Sequence, residues 1–344
     1  MRRGTGWSNY NIHEAAKIRT NVRDLDIPEY FRVGSVVPDF ELRVVDRVDL
    51  PGDKRAVREI GSGVYDCGNG DVVYECELPF MSLLGSKAMI RSLVTGLNDS
   101  TTKIDVAVPF FGFNPIRIKV SQMLFKMARF ILAIKLLRRG RAPVYAASIA
   151  RANDAVLLFG YSWTGKSTLV SSLLNAGWEY LSDDYTILDS DGGAYCYPDW
   201  HAPRTTRVDV PFLRYLRHRP LDFRSLRKYA VPVRRHAQVH SVVLLERGPD
   251  GVEEIDPREA ARRIMLINLE EILKFWNCPM TQVVAYYSYL YPEFDFERLM
   301  VRYWSCVTSA LNRAERCLIV RTRSSGFELA RTVISDQVED TGRG

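Results

Sequence analysis

The chain lacks the patterns that mark a metal-binding or secreted protein. Its six cysteines form no C-x-x-C pair, and none of its five histidines stands at zinc-ligand spacing from a cysteine. These absences argue against a structural zinc site and against a disulfide framework. They favour free thiols in a reducing compartment for all six, which are Cys67, Cys76, Cys196, Cys278, Cys306 and Cys317.

A signal peptide and a long uncharged apolar run are also missing. No N-terminal apolar stretch resembles a signal peptide. The most apolar helical stretch, 120–137, carries three basic residues, which makes it a poor membrane span. We therefore expect a cytoplasmic protein with no transmembrane segment.

Length and composition are those of a chain that folds around large apolar cores. At 344 residues, with 47% hydrophobic and 26% charged residues, two domains are expected. Short strands and a helix at 83–97 are predicted before a basic stretch, 138–141, and strand–loop–helix order follows it. We predict an N-terminal mixed α/β domain over 1–140 and a second α/β domain over 141–344.

Positive charge is concentrated in one segment. Residues 201–240 contain nine Arg and one Lys against two Asp, a net charge of +8, whereas the whole chain carries +6. This basic segment is a candidate docking surface for an acidic or phosphorylated partner, and the alternative is a solvated basic face. No zinc finger, recognition helix or aromatic-interleaved RNA motif favours nucleic acid.

The most informative pattern is a phosphate-binding loop. Residues 160–168 read GYSWTGKST, which fits G-x-x-x-x-G-K-[ST]. Glycines let the backbone turn its N–H groups toward phosphates, the lysine adds a point charge, and the hydroxyl after it can hold Mg²⁺. We predict that ATP and Mg²⁺ are bound here by Gly160, Ser162, Thr164, Gly165, Lys166, Ser167 and Thr168.

The flanking sequence supplies the strand and the helix that this loop requires. The apolar run 155–159 predicts a buried strand before it, and 167–176 predicts a helix after it. Gly177 is a candidate helix-terminating glycine. Further strands are predicted at 179–181, 186–188 and 241–245, and further helices at 120–139, 257–276, 296–314 and 326–334.

A pair of carboxylates follows the next strand. The sequence GWEYLSDD places Asp183 and Asp184 directly after it, and chain order predicts that this strand lies beside the nucleotide strand. One acid could hold Mg²⁺ and the other could accept a proton from an attacking hydroxyl. The alternative is an ordinary Asp-Asp turn.

The loop alone does not choose among nucleotide-binding classes. The guanine-binding N-K-x-D sequence is missing, which argues against a GTPase. An ATPase remains open, because the apolar strand 241–245 ends at Glu246, which could prime a water molecule.

The run from Pro143 to Thr186, with GYSWTGKSTL and AGWEYLSDD, resembles the kinases related to HPr kinase/phosphorylase. That family shares a phosphate-loop core with phosphoenolpyruvate carboxykinase and includes kinases of free serine and of serine in peptides. The resemblance covers about 140–335 and is specific only over 145–190. The spacing from Lys166 to Asp183 and Asp184 matches the family's spacing.

The resemblance implies roles for individual residues. Lys166 binds phosphate and takes part in catalysis, Ser167 binds magnesium, and Asp184, with Asp183, acts as the base on a serine hydroxyl. Asp183 is also a candidate magnesium ligand. The second metal-binding carboxylate falls near Asp209 by spacing. Arg234 and Arg235, in a late basic stretch, are implied to steady the transferring phosphoryl group.

Three residues depart from the family's pattern. Tyr145 stands where members usually carry a catalytic histidine, and a neutral phenol does not titrate near neutrality as histidine does. This departure argues against phosphorolysis. Trp163 and Thr164 replace a small, glycine-containing pair in the loop.

The sequence therefore predicts an ATP- and Mg²⁺-dependent kinase that phosphorylates a hydroxyl, with serine in a protein, a peptide or a small molecule as the favoured acceptor. One alternative is an ATPase that couples hydrolysis to a conformational change. Another is a nucleotide-binding sensor with weak or no catalysis. A homo-oligomer is a candidate assembly.

Overall fold

The protein is mixed α/β, with two large mixed sheets. The computed structural model describes residues 6–22, 25, 27–48, 58–61, 63–77, 89–108, 114–162, 164–198, 231–275, 279–323 and 328–341. Two compact units are present. The first comprises Met1–Ile27, Phe31–Arg139 and Lys274–Met300, and the second comprises Pro28–Tyr30, Gly140–Leu273 and Val301–Gly344. The predicted domains, 1–140 and 141–344, were continuous segments, whereas 274–300 here belongs with the first unit.

The first unit contains a sheet of nine strands in the order β3-β1-β2-β4-β9-β8-β7-β6-β5. The pairs β2–β4 and β4–β9 are parallel and the other pairs are antiparallel. The strands are β1 (Ser8–Ile12), β2 (Ala16–Thr20), β3 (Arg32–Val33), β4 (Phe40–Val45), β5 (Arg58–Gly61), β6 (Val64–Asp66), β7 (Val72–Glu77), β8 (Met89–Thr95) and β9 (Thr102–Ala107).

The helix predicted over 83–97 is wrong. The described part of that segment is strand β8, in which Ile90, Ser92 and Val94 are buried and alternate with more exposed neighbours. A period of two belongs to a strand with one buried face. Antiparallel pairing of β8 with β7 and β9 decides the conformation, which is a non-local effect that local apolar content does not reveal.

The described residues include six α-helices. Four match helices predicted from sequence, with end points that differ by up to seven residues, and the helix after the loop matches a fifth. The helix at 279–290 was not predicted. The helices are α1 (Asn114–Arg138), α2 (Lys166–Asn175), α3 (Pro257–Phe275), α4 (Pro279–Leu290), α5 (Phe296–Leu311) and α6 (Glu328–Thr341). Among the described residues, no helix is long and apolar enough to cross a membrane.

The second unit contains the other sheet, in the order β10-β14-β15-β16-β12-β11-β13, with β18 pairing to β16 and β17 pairing to β18. Its strands are β10 (Arg141–Val144), β11 (Ala147–Arg151), β12 (Asp154–Phe159), β13 (Glu179–Ser182), β14 (Thr186–Asp189), β15 (Gly193–Tyr195), β16 (His236–Arg247), β17 (Gly251–Glu254) and β18 (Arg316–Thr322). The predicted strands at 155–159, 179–181, 186–188 and 241–245 are confirmed.

Helix α2 packs on one face of this sheet. Its residues Leu169, Val170 and Leu173 are fully buried against side chains of β11, β12, β16, β18 and α6. The helix ends in a Schellman motif, in which the N–H groups of Gly177 and Trp178 donate to the carbonyls of Leu174 and Leu173. Gly177 has a φ of 86°, which confirms the predicted helix-terminating glycine.

In the first unit, a buried lysine fastens the end of α1 to the turn between β8 and β9. The Nζ atom of Lys135 donates to the carbonyls of Asp99 and Ser100 at 3.0 and 3.1 Å, and the side chain is only 5% exposed. Burial lowers the pKa of Lys135 to about 8. The unfolded chain should keep a pKa near the ordinary value of 10.5.

We expect the stability contributed at Lys135 to rise with pH between about 8 and 10.5. In this window the unfolded chain binds more protons than the folded protein, and the free energy of unfolding then increases with pH. Thermal unfolding of wild type and Lys135→Met at pH 7 and pH 10 measures this effect. The free energy of unfolding of wild type, relative to that of the variant, should be larger at pH 10 than at pH 7. Lys103→Met, at an exposed position of β9, should show no such trend. If the difference in free energy of unfolding between wild type and Lys135→Met is the same at both pH values, the expectation is wrong.

Candidate nucleotide-binding site

The phosphate-binding loop follows β12 and leads directly into α2. Gly160 has a φ of 155°, and a Cβ atom there would lie 2.8 Å from the carbonyl oxygen of Leu245 and 2.6 Å from Oγ1 of Thr164. Gly165 adopts the left-handed conformation at the N-cap of α2, which has no side-chain capping bond. Both glycines are therefore required by the backbone path.

Lys166 is the first residue of α2 and turns back onto the loop. Its side chain is 5% exposed, and Nζ donates to the carbonyl of Gly160 at 2.7 Å and to that of Tyr161 at 3.3 Å. A buried ammonium is costly unless it is hydrogen-bonded. The loop thus holds the charge beside the N-terminus of α2, where the helix dipole favours an anion.

Strand β11 lies between β12 and β13, so the prediction that β13 is the neighbour of the nucleotide strand is wrong. Because β11 is antiparallel to both, β12 and β13 run in the same direction. The register pairs Ala147 with Leu158 and Ser148 with Ser182. One edge of the sheet therefore carries the loop after β12, the residues before β11 and the carboxylates after β13.

Tyr145 occupies the middle position at this edge. The Nζ atom of Lys166 lies 4.6 Å from the centroid of its ring, within the range of a cation–π interaction. Its backbone N–H donates to Oδ1 of Asn268 on α3 at 2.7 Å. Tyr145 is thus in contact with Lys166 of the loop.

Asp183 and Asp184 differ in exposure. Asp183 is buried, with 1% of its surface exposed, whereas Asp184 is partly exposed. A buried carboxylate is stabilised by a nearby cation, and a partly exposed one can be reached by an acceptor molecule. The two predicted roles, metal ligand and base, therefore fit Asp183 and Asp184 respectively.

Three buried hydroxyls fix the backbone that carries these carboxylates. Ser148 Oγ lies 2.7 Å from Ser182 Oγ and 2.9 Å from Thr186 Oγ1, and the last two oxygens are 2.5 Å apart. Thr186 Oγ1 also donates to the carbonyl of Ala146 at 2.9 Å. Because Ser182 and Thr186 bracket the two aspartates, the hydroxyls tie the carboxylate turn to β11 and to the residue after Tyr145.

Aromatic rings lie next to the carboxylate turn. The rings of Tyr185 and Tyr197 meet edge to face, with centroids 4.9 Å apart. Burial raises the pKa of Tyr303 on α5, and Tyr185 contributes to the rise. Tyr303 therefore stays neutral across the physiological range, and Tyr185 and Tyr197 add aromatic rings beside the turn.

The two predicted phosphate-binding arginines are not brought to the loop by any contact in the described residues. Nη1 of Arg234 donates to Oε2 of Glu179 at 3.0 Å, at the start of β13 and hence at the end opposite to Asp183. Arg235 is exposed, and its backbone carbonyl accepts from the N–H of Cys196.

Glu246, the residue proposed to prime water in an ATPase, is held by two arginines. Its Oε1 accepts from Nη1 of Arg263 at 3.0 Å and its Oε2 accepts from Nε of Arg321 at 3.1 Å. Both oxygens of this carboxylate are thus engaged by guanidinium groups, which compete with a water molecule for them.

Other parts of the predicted site lie outside the described residues. These are Trp163 of the loop, the candidate second metal ligand Asp209, and the basic segment from 201 to 230. Cys278 is also outside them. The five described cysteines, Cys67, Cys76, Cys196, Cys306 and Cys317, are free thiols.

The sequence prediction missed Asn268. It lies on the apolar stripe of α3 that contains Ala260, Ile264 and Ile267, and it is 4% exposed. The sequence does contain a signal for it, which is a polar amide at helical spacing among apolar residues. Such an amide is expected to be buried, and a buried amide requires hydrogen-bond partners. Its partner across the sheet could not be read from the sequence.

The donors at this edge suit a magnesium nucleotide. They are a lysine ammonium, a hydroxyl at Ser167 in the first turn of α2, and the carboxylates of Asp183 and Asp184. Hard oxygen ligands and phosphate oxygens together are the usual coordination of Mg²⁺. Within the described ranges, no group of three or more His, Cys, Asp or Glu side chains forms a metal site.

The chain matches no protein-family model. A search of curated proteins likewise found no match. The relation to HPr kinase therefore rests on the motif residues between 143 and 186 and stays a prediction.

Proposed function

We propose that the protein is an ATP- and Mg²⁺-dependent kinase that transfers a phosphoryl group to a hydroxyl, with serine as the favoured acceptor. One observation carries the proposal. Three adjacent strands bring the phosphate-binding loop with Lys166, then Tyr145, then Asp183 and Asp184, to a single edge of one sheet. Phosphoryl transfer needs a phosphate cradle, a cation and a base within reach of one another.

Each residue has one task in this proposal. Lys166 and the N–H groups at the start of α2 bind the β- and γ-phosphates. Ser167 and Asp183 would hold magnesium, which supplies positive charge against the phosphate oxygens. Asp184 orients the acceptor hydroxyl and accepts its proton as that oxygen attacks in line.

The resemblance to HPr kinase-related proteins supports the same assignment. It adds Asp209 as a second metal ligand. Arg234 and Arg235 do not suit the role that the resemblance implies for them, because both precede β16, whose start lies at the end of the sheet opposite to the loop, and Glu179 binds the guanidinium of Arg234. The resemblance also indicates the acceptors to test first, namely free serine, serine-containing peptides and an HPr-type protein.

The two alternatives differ from the kinase in what happens to the γ-phosphate. An ATPase releases inorganic phosphate without an acceptor, and a sensor binds ATP without turnover. The ion pairs of Glu246 with Arg263 and Arg321 weigh against the ATPase, which needs that carboxylate as a base.

Incubation of the protein with γ-labelled ATP, magnesium and the three acceptor classes tests the proposal. Label in an acceptor is the expected result. Labelled inorganic phosphate that does not depend on an acceptor would favour the ATPase. Tight binding of ATP with neither transfer nor hydrolysis would replace the kinase by the sensor.

We expect Tyr145→Phe to lower transfer only slightly. The phenyl ring keeps the contact with Lys166, and loss of one neutral hydrogen bond costs only about 0.5–1.5 kcal/mol. Steady-state kinetics should therefore show a reduction of less than about tenfold. The wild type should also fail to remove phosphate from the product with inorganic phosphate. Phosphorolysis by the wild type, or loss of transfer in Tyr145→Phe, would contradict this role.

A further inference from the structure

A buried amide on α3 links that helix to the phosphate-binding lysine. Asn268 is 4% exposed and uses both ends of its side chain. Its Nδ2 donates to the carbonyl of Ile264 one turn earlier at 2.9 Å, and its Oδ1 accepts from the backbone N–H of Tyr145 at 2.7 Å. The first bond fixes the orientation of the amide on the helix. The second fastens the chain between β10 and β11 to α3.

The second bond acts where strand pairing does not. Tyr145 lies outside both strands, between Val144, the last residue of β10, and Ala147, the first of β11, and its N–H donates to Asn268. The ring of the same residue lies 4.6 Å from Nζ of Lys166. Asn268, Tyr145 and Lys166 therefore form a continuous chain of contacts from α3 to the phosphate-binding loop.

We propose that Asn268 is a positioning residue that acts through Tyr145 on the ammonium of Lys166. The carbonyls of Gly160 and Tyr161 contact this ammonium, and the Tyr145 ring confines it further. A free lysine side chain samples many rotamers, and holding it before the ligand arrives reduces the entropy that binding must remove. The use of this lysine for nucleotide rests on the proposed function, but its confinement by Asn268 does not.

The first test is a double-mutant cycle on ATP affinity with Asn268→Leu and Tyr145→Leu. Leucine has the same branched arrangement of four side-chain heavy atoms as asparagine, with bulkier methyl groups, and makes neither hydrogen bond. Each single variant should bind ATP-Mg²⁺ about 5–10-fold more weakly, since part of the lysine's rotamer entropy returns. The double variant should bind no more weakly than Tyr145→Leu alone. If the losses of ATP affinity in the two single variants add in the double variant, the proposal is wrong. Additivity would mean that Asn268→Leu weakens binding through a general packing defect, which does not depend on the ring of Tyr145.

Thr308→Val is a matched control for replacing a buried polar group on a helix of the same unit. Within the described residues, Oγ1 of Thr308 is buried and has no hydrogen-bond partner. Thr308 lies on α5 and is not part of the chain of contacts formed by Asn268, Tyr145 and Lys166. ATP affinity in this variant should equal that of wild type.

A second readout needs no nucleotide. Limited acetylation of the free protein, followed by mass spectrometry, measures how accessible and mobile Nζ of Lys166 is. Asn268→Leu and Tyr145→Leu should each raise the rate of Lys166 acetylation about 5–10-fold, while Thr308→Val leaves it unchanged. If Asn268→Leu does not fold, Asn268→Ala replaces it in both measurements.

The two readouts separate failure of this proposal from failure of the proposed function. If wild type binds no ATP but Lys166 acetylation rises in Asn268→Leu, the positioning role stands and the nucleotide assignment is wrong. If wild type binds ATP but Asn268→Leu changes neither affinity nor Lys166 acetylation, Asn268 is an ordinary buried amide and the positioning role is wrong.

Discussion

We expect Asp184→Asn to lower the rate of phosphoryl transfer by about 10²–10⁴-fold, the usual contribution of a general base. Asparagine keeps the size and shape of the side chain and removes its ability to accept a proton. Asp184 is the second residue after β13, at the edge that carries Lys166, and it is partly exposed, so an acceptor hydroxyl can reach it. ATP affinity should change little, because in the proposed function Asp183 would still hold the metal.

Single-turnover transfer of label from γ-labelled ATP is the measurement, since it isolates the chemical step from product release. Asp191→Asn is the matched control, because it makes the same change at an exposed carboxylate in the turn between β14 and β15. Transfer by Asp184→Asn at the wild-type rate would rule out Asp184 as the base. A loss confined to Asp183→Asn would move the base to that residue.

Local parts of the site were predictable because they depend on neighbouring residues. The strand before the loop, the helix after it and the glycine that ends the helix follow from a short apolar run, a 3.6-residue period and Gly177. Each is decided within a few residues of chain. The contacts of Lys166 with the loop carbonyls are equally local, although the sequence analysis assigned this ammonium to phosphate and did not predict them.

The order of strands could not be predicted in the same way. Chain order suggested that β13 is next to β12, but β11, which precedes both, forms a hairpin with β12 and also pairs with β13. This insertion places Tyr145 between the loop and the carboxylates. From the sequence alone, Tyr145 was known only as a residue that replaces the usual histidine. Its contact with Lys166 and its hydrogen bond with Asn268 depend on the strand order and could not be predicted.

Strand pairing also explains why the conformation of 83–97 in the first unit was predicted wrongly. The sequence predicted short strands and a helix at 83–97, whereas nine strands pair into one sheet that includes β8. Most of these strands have three to six residues, too few for a reliable period. Their conformation depends on pairing with strands that can be distant in sequence, such as β4 with β9.

The other large effect is expected for Lys166→Ala, which should weaken ATP-Mg²⁺ binding. Charge-assisted contacts with phosphate in a partly buried site contribute on the order of 2–4 kcal/mol, or roughly 30–1000-fold in affinity. The ammonium is already held beside the loop, so its loss removes a contact that needs little rearrangement to form. Lys166→Met keeps most of the length of the side chain and removes its charge. It should bind ATP-Mg²⁺ nearly as weakly as Lys166→Ala, because the affinity depends on the charge and not on the packing of the side chain.

Calorimetric titration with ATP, with and without magnesium, measures this effect. Lys103→Ala removes an exposed lysine from β9 in the other compact unit and should bind as wild type does, which controls for a change in net charge. Affinity should also fall when magnesium is withdrawn, since in the proposed function Ser167 and Asp183 would hold that ion and it would supply positive charge against the phosphates. Unchanged affinity in Lys166→Ala would show that residues 160–168 form a glycine turn of another kind. The kinase, the ATPase and the sensor would then all be excluded, because each of them requires this lysine to bind phosphate.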